Sequence, residues 1–280
     1  MRKTPPPDIG VALPPAPLGM PWRRGLARHE GGEIVLDSDR AEKYLFIPSE
    51  DVLFDLAAIR RPTDALGFVR RYGLLSSGAS YNEPDEDNTF RESWNGWEYV
   101  ALRLSELMSL YNELLLASGG DQSALEELET FWRDDAEAAE ERKSWRGDWT
   151  DEGAVLLDWP GFQRVGEGIP EGLLVDTALY IAQVLNRELG KTDTRPSLDP
   201  NLHSPDHFRL SVSAYSLEAH AYYQLALYVA TRAPLARCED CGRLFPIRDK
   251  RQRFCSSQCG GRARYRRYAE KKRDQKKEEQ

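Results

Sequence analysis

All four cysteines of this 280-residue chain fall between positions 238 and 259, as Cys238-x2-Cys241, thirteen intervening residues, and Cys255-x3-Cys259. Two close pairs of thiolates are the donor set of a closed tetrahedral site, and this spacing points to zinc. A filled shell of four sulfurs leaves no position for a reactive water, so the pattern predicts one structural Zn2+ per chain, held by Cys238, Cys241, Cys255 and Cys259. The surrounding residues agree. Gly242, just past the second cysteine, permits the positive φ of a tight knuckle. Leu244-Phe245-Pro246-Ile247 reads as a strand, Arg248-Asp249-Lys250-Arg251 as a turn, and Arg253-Phe254 as the returning strand, which would bring Phe245 and Phe254 together as a miniature core. A helix capped by a serine then starts around Ser256-Ser257 and carries Cys259 in its first turn. Knuckle, hairpin and basic helix together make a treble-clef-like zinc finger.

Charge is split along the chain. From Arg232 to Gln280 there are 16 Lys and Arg against 7 Asp and Glu, a net of +9, so the overall net of -8 leaves -17 on Met1–Thr231. A basic module suited to a polyanion therefore follows an acidic body. Arg262, Arg264, Arg266, Arg267, Lys271, Lys272 and Arg273 are the candidate nucleic-acid contacts, because guanidinium and ammonium groups hold phosphates through charge-assisted hydrogen bonds. At ~100° per residue these charges surround the helix instead of forming one stripe. None of them is a metal ligand. Tyr265 and Tyr268, three residues apart, are expected to pack back on the finger.

The run Cys255-Ser256-Ser257-Gln258-Cys259-Gly260-Gly261-Arg262-Ala263-Arg264-Tyr265-Arg266-Arg267-Tyr268 resembles the CGNR-type zinc finger family of bacterial transcription regulators, with Gly261 standing where the family's namesake asparagine would be. The resemblance extends over about residues 235 to 272. It implies a largely helical N-terminal domain followed by this finger, with DNA binding and transcriptional control as the function.

Ahead of the finger, residues 1–40 are read as a Pro-rich, weakly ordered arm, because seven of the 17 prolines lie in the first 22 residues. Residues 41–232 are read as a mainly helical sensing or interaction domain with one or two short strands, and residues 233–280 as the four-cysteine zinc finger with its basic C-terminal helix. Tyr44-Leu45-Phe46-Ile47 is an expected strand, followed by a helix capped by Ser49 and running to Ala57. A second helix follows Thr63-Asp64 and stops at Gly73. Trp97, Val100, Ala101, Leu104, Leu107, Met108, Tyr111 and Leu114 recur at helical spacing and end before Gly119-Gly120. Further helices are expected over 123–142, over 170–189 with Gly190 as the stop, and over 216–229. Phe208 to Val212 alternates like a strand after a polar loop.

The body offers little raw material for catalysis. It contains no cysteine, no phosphate-binding Gly-Lys-Ser/Thr loop and no Gly-x-Ser-x-Gly elbow. His220, set among Ala219, Ala221 and Tyr222, reads as a core histidine. The N-terminus lacks the apolar run of a signal peptide, and no segment reaches the ~18 apolar residues of a membrane span. The sequence therefore predicts a cytoplasmic, non-enzymatic, zinc-dependent protein that contacts duplex DNA through its C-terminal finger. RNA is the nearest alternative target. A third reading makes the finger purely structural, with its basic surface meeting an acidic protein. The helical body would serve sensing, homo-oligomerisation or a partner.

Overall fold

The computed structural model describes residues 22–44, 51–76, 84–134, 171–192, 194–201, 204–247, 249 and 251–278, with the backbone alone at 44, 171, 195–201, 204–213 and 274–278. The chain divides into two compact units, Met1–Thr231 and Arg232–Gln280. Helix dominates both, with seven helices among the described residues and short strands between them. None of those helices is long and apolar enough to cross a membrane.

The first unit opens with strands, where the sequence suggested an arm. β1 (Trp22–Arg24) pairs antiparallel with β4 (Glu42–Tyr44), while β2 (Ala27–Glu30), β3 (Glu33–Asp37) and β5 (Thr89–Ser93) form a three-stranded antiparallel sheet. The expected arm of residues 1–40 is thus corrected over 22–40, and residues 1–21 lie outside the described ones. The missed signal was Gly31-Gly32, whose φ values of 61° and 84° make the tight turn between β2 and β3. Ile34, Val35 and Leu36 of β3 are all fully buried with Trp22 and Phe90, so this sheet is part of the core. Of the strand expected over 44–47, Tyr44 lies in β4, which starts at Glu42, and residues 45–47 lie outside the described ones.

Helix positions follow the apolar periodicity closely. α1 covers Asp51–Leu56, α2 Pro62–Tyr72, α3 Trp94–Ser118 and α4 Gln122–Asp134. α5 covers Glu171–Lys191 and α6 Leu217–Thr231. Every residue picked from the α3 pattern is buried except Leu114, which is half-buried, and α3 packs against α1, α4, α5 and α6. Leu173, Leu174, Thr177, Ile181, Val184 and Leu185 of α5 are buried likewise. The start of α2 differs in detail from the expectation. Pro62 occupies its first turn, and the Asp64 carboxylate accepts the backbone N–H groups of Arg60 and Arg61 at 3.3 and 3.1 Å. Gly73 ends it with φ 98° and donates to the Val69 carbonyl at 2.9 Å.

Two local readings are corrected. Gly190 does not stop α5, which continues to Lys191, because Thr192 and Thr194 close the end instead: both hydroxyls donate to the Leu189 carbonyl, and the Thr192 N–H to that of Glu188. With side chains satisfying those carbonyls, no left-handed glycine is required. The polar loop expected before Phe208 is itself a strand, β6 (Thr194–Asn201), paired antiparallel with β7 (Ser204–Ala214). Pro196 and Pro200 concealed it, since proline donates no ladder hydrogen bond and so argues against a strand when only sequence is read. The body therefore holds seven strands among the described residues, more than the one or two expected.

Buried polar contacts fix how the helices meet. The Gln224 side chain, fully buried in α6, accepts the Leu53 N–H at 3.1 Å and so satisfies an otherwise orphaned donor in the first turn of α1. Tyr111 donates to the Tyr228 carbonyl at 2.8 Å, tying α3 to α6, and the Trp132 indole donates to Thr177 Oγ1 at 3.0 Å, tying α4 to α5. His220 is buried, as its setting suggested.

A cluster of acids converges where β5, α3, α5 and α6 approach one another. Glu92 accepts the backbone N–H groups of Leu75 and Ser76, and Glu188 accepts from Tyr99 at 3.3 Å and Lys191 at 3.2 Å and lies 3.4 Å from Arg187. Burial pushes the Glu218 carboxyl up to about 7, with repulsion from Glu188 and Glu92 adding to it and Lys191 opposing. The folded state therefore binds this proton more tightly than the unfolded chain. The associated stability is complete below about pH 4.5 and is lost as pH rises through about 7. All seven tryptophans precede Arg232, so tryptophan fluorescence reports on this unit alone. Thermal unfolding followed that way should show stability falling between pH 5 and pH 8, and Glu218→Gln should flatten the fall. An unchanged slope in the variant would remove Glu218 as its source. In addition, a chain ending at Thr231 should unfold cooperatively in urea, and an aggregated or non-cooperative product would contradict its independence.

Candidate metal centre and basic helix

The second unit is built around the cysteines. β8 (Leu235–Arg237) pairs antiparallel with β9 (Leu244–Pro246) in the register Leu235 to Pro246, Ala236 to Phe245 and Arg237 to Leu244. The hairpin thus spans the Cys238-x2-Cys241 knuckle itself. This corrects the expected pairing of 244–247 with Arg253-Phe254, which is not a strand. That segment makes one backbone bond to the knuckle, from the Glu239 N–H to the Arg253 carbonyl at 3.1 Å. The edge of β9 was already taken by the residues preceding Cys238. Gly242 has the expected positive φ, 71°, and donates to the Cys238 carbonyl at 2.8 Å, while the Cys238 N–H donates to the Arg243 carbonyl at 2.9 Å. Asp249 turns the chain by accepting the Arg251 and Gln252 N–H groups.

α7 (Ser257–Glu278) starts at Ser256, whose hydroxyl accepts the Cys259 N–H at 3.2 Å. Phe245, Cys238 and Cys259 are buried together, with Ala236, Phe254 and Cys255 packed against them, so the two phenylalanines do supply the miniature core.

The four sulfur atoms all lie within 4.8 Å of one another. Cys241 and Cys255 are 3.7 Å apart, Cys255 and Cys259 3.6 Å, and none is disulfide-bonded. A regular tetrahedron with metal–sulfur bonds of ~2.3 Å has edges of ~3.8 Å. The quartet therefore fits a metal ion with little adjustment. Its protonation pattern points the same way. Desolvation opposes ionisation of Cys238, but the backbone N–H groups of Cys255, Cys241 and Asp240 pull its thiol down to about 6. Cys255 is pushed far up, first by burial and then by the three other thiols, and burial raises Cys241 as well. Without a cation the sulfurs cannot all ionise side by side, whereas a dication would neutralise half of their charge and displace the remaining protons.

The structure sorts the basic residues that the sequence left distributed around the helix. Arg262 Nε donates to Asp240 Oδ2 at 2.8 Å, Arg266 pairs with the other Asp240 oxygen, and Arg267 lies 3.7 Å from Glu239, which also pairs with Arg253. These guanidiniums cover Asp240, whose side chain is only 2% exposed. Desolvation would raise the Asp240 carboxyl, but hydrogen bonds from Arg262 and Cys259 and the charges of Arg262 and Arg266 outweigh it and hold it below the usual carboxylate range. Arg262 also reaches the cysteine quartet, with Nη2 donating to Cys259 Sγ at 3.1 Å.

Arg264, Lys271, Lys272 and Arg273 are exposed, and among the described residues none forms an ion pair. Tyr265 and Tyr268 are 73% and 65% exposed, which corrects the expectation that they pack on the finger. Cys259 and Ala263 define the buried side of α7. On the opposite side Arg264, Tyr265, Tyr268, Lys271 and Lys272 share an arc of roughly 120°, by the 3.6-residue helical period. Sequence reasoning could not separate this face, because it did not know which side Asp240 would claim.

No family model, curated protein or solved structure matches this chain. Purified under reducing conditions, the protein should carry one metal ion per chain by native mass spectrometry. Cys255→Ser should abolish loading while far-UV circular dichroism retains most of the helix signal. A parent that stays metal-free after refolding with zinc would rule the centre out.

Proposed function

We propose that the second unit is a zinc-dependent nucleic-acid-binding finger, that duplex DNA is its target, and that the chain is a non-enzymatic transcriptional regulator acting in the cytoplasm. The observation that carries this reading is the outer face of α7, where Arg264, Lys271 and Lys272 alternate with exposed Tyr265 and Tyr268 on a helix rooted in the cysteine quartet. Cations that pair with no carboxylate among the described residues are available to phosphates, and a helix is the element that enters a major groove. Zinc is the assigned ion because four thiolates select a soft dication of tetrahedral habit, and a closed shell supports a structural role. The likeness of the run Cys255–Tyr268 to the CGNR-type finger, with Cys259-Gly260-Gly261-Arg262 at the motif itself, supports the same function. The acidic first unit is assigned to sensing or self-association.

Charge arithmetic decides which residues to test. Arg262 and Arg266 share Asp240, and Arg267 and Arg253 share Glu239, so those four guanidiniums are half-neutralised within the finger. Arg264, Lys271 and Lys272 bring their full charge. Binding to duplex DNA should weaken with salt, with log K falling by ~0.9 per phosphate contact for each unit of log salt. Replacing these three by alanine should reduce that slope by ~2.7 if each holds one phosphate, with metal content unchanged. Tyr265→Ala with Tyr268→Ala should lower affinity and leave the slope alone. Binding of the triple variant with the parent's affinity and slope would refute the assignment. Preference for single-stranded or structured RNA would transfer it to RNA, where exposed aromatic rings stack on unpaired bases. Binding to neither would leave the reading in which the finger is purely structural and its basic surface meets an acidic protein.

A further inference from the structure

We infer that Arg262 belongs to the metal centre, as a positioning and charge-compensating residue fixed by Asp240 against the Cys259 sulfur, and that its principal role is to retain the metal. This rests on the reading that the four cysteines hold a thiophilic dication.

Four thiolates around a dication carry a net charge of ~-2. That excess must be offset by hydrogen-bond donors and nearby cations, which set the affinity as much as the ligands themselves do. Backbone N–H groups of Cys255, Cys241 and Asp240 favour the Cys238 thiolate, and that of Arg243 favours the Cys241 thiolate. Cys259 differs in having a charged side-chain donor. It lies in the first turn of α7, and Arg262, three residues on, shares its face, so that Nη2 comes to 3.1 Å from Sγ.

What holds that donor in place is Asp240, one of the two residues between Cys238 and Cys241. Its Oδ2 takes Arg262 Nε at 2.8 Å, and its Oδ1 takes Arg266. The carboxylate thus orients the guanidinium while its own lone pairs are filled. The arrangement links the first cysteine pair to the fourth ligand through side chains alone, across a separation of 22 residues. Two arginines and one aspartate add a net of about one positive charge beside the quartet, halving the excess. A residue that reads as a phosphate contact in the sequence is thereby turned inward, toward sulfur.

The test uses the full chain loaded with zinc, with metal content fixed first by native mass spectrometry. Zinc affinity is then read by competition with a chromogenic chelator for the parent, Arg262→Ala, Arg262→Lys and, as a surface control, Arg251→Ala at an exposed position. The cobalt(II)-substituted forms are compared through their sulfur-to-metal charge-transfer absorption, which responds to hydrogen bonding at sulfur and not to helix stability. Arg262→Ala should lose affinity by about 10- to 100-fold and shift the charge-transfer band. Arg262→Lys should recover part of both, and Arg251→Ala should match the parent in zinc affinity and band position. Equal affinity and an unshifted band in Arg262→Ala, with the parent fully loaded, overturn this inference and leave the metal reading intact. A parent that binds no metal overturns both.

Discussion

The finger depends on bringing four sulfurs to one point. The apolar cluster around the cysteines is small, Phe245 with parts of Ala236 and Phe254, and the other buried hydrophobics of the unit from Arg232 to Gln280 are Leu235, Leu244 and Ala263 among the described residues. Units of that size rarely bury enough apolar surface to fold on hydrophobic burial alone, and a metal commonly supplies the difference. Gly242, the β8–β9 pairing and the Ser256 cap are then means of delivering sulfur atoms to the same volume. The first turn of α7 is part of that delivery, because Cys259 is both a helix residue and a member of the quartet. Fixing Cys259 fixes the rotation of the helix about its axis, and that rotation determines which basic residues face outward.

Electrostatics inside the finger follows from the same geometry. Glu239 and Asp240, between the first two cysteines, would each add negative charge next to the thiolates. They are instead taken up by Arg253 and Arg267 and by Arg262 and Arg266. Half of the guanidinium charge near the knuckle is therefore consumed internally. The basic surface left unpaired among the described residues is narrower than the +9 of the segment suggests, and it carries two aromatic rings.

The body relies on a different device. Its helices are amphipathic and bury long apolar stripes, yet their mutual placement is pinned by buried polar groups: Gln224 on Leu53, Tyr111 on Tyr228, Trp132 on Thr177. Each is costly to leave unsatisfied in the interior, by ~1–3 kcal/mol, so each selects one arrangement over near alternatives. Glu218 is the exception, since its neighbours include two more acids and its charge is disfavoured at neutral pH.

The sequence by itself determined the cysteine quartet and the long helices, because both are encoded locally. A Cys-x2-Cys knuckle and a Cys-x3-Cys helix start bring their sulfurs together within a few residues, and the apolar spacing of α3 and α5 needs no partner to be read. Features that depend on distant residues were decided only by the tertiary structure. The strands of residues 22–44 were hidden behind a proline-rich start, and β6 behind Pro196 and Pro200. The true partner of β9 was masked by a more regular-looking candidate after it. Arg262 and Arg266 meet Asp240 across 22 and 26 residues, a relation that composition and periodicity do not contain. The sequence put nine basic side chains on one helix and singled out seven of them as contacts. Which of them turn toward sulfur and carboxylate and which toward solvent was settled by the side of α7 that Cys259 and Ala263 bury, because a helix has one rotation and its buried side fixes it.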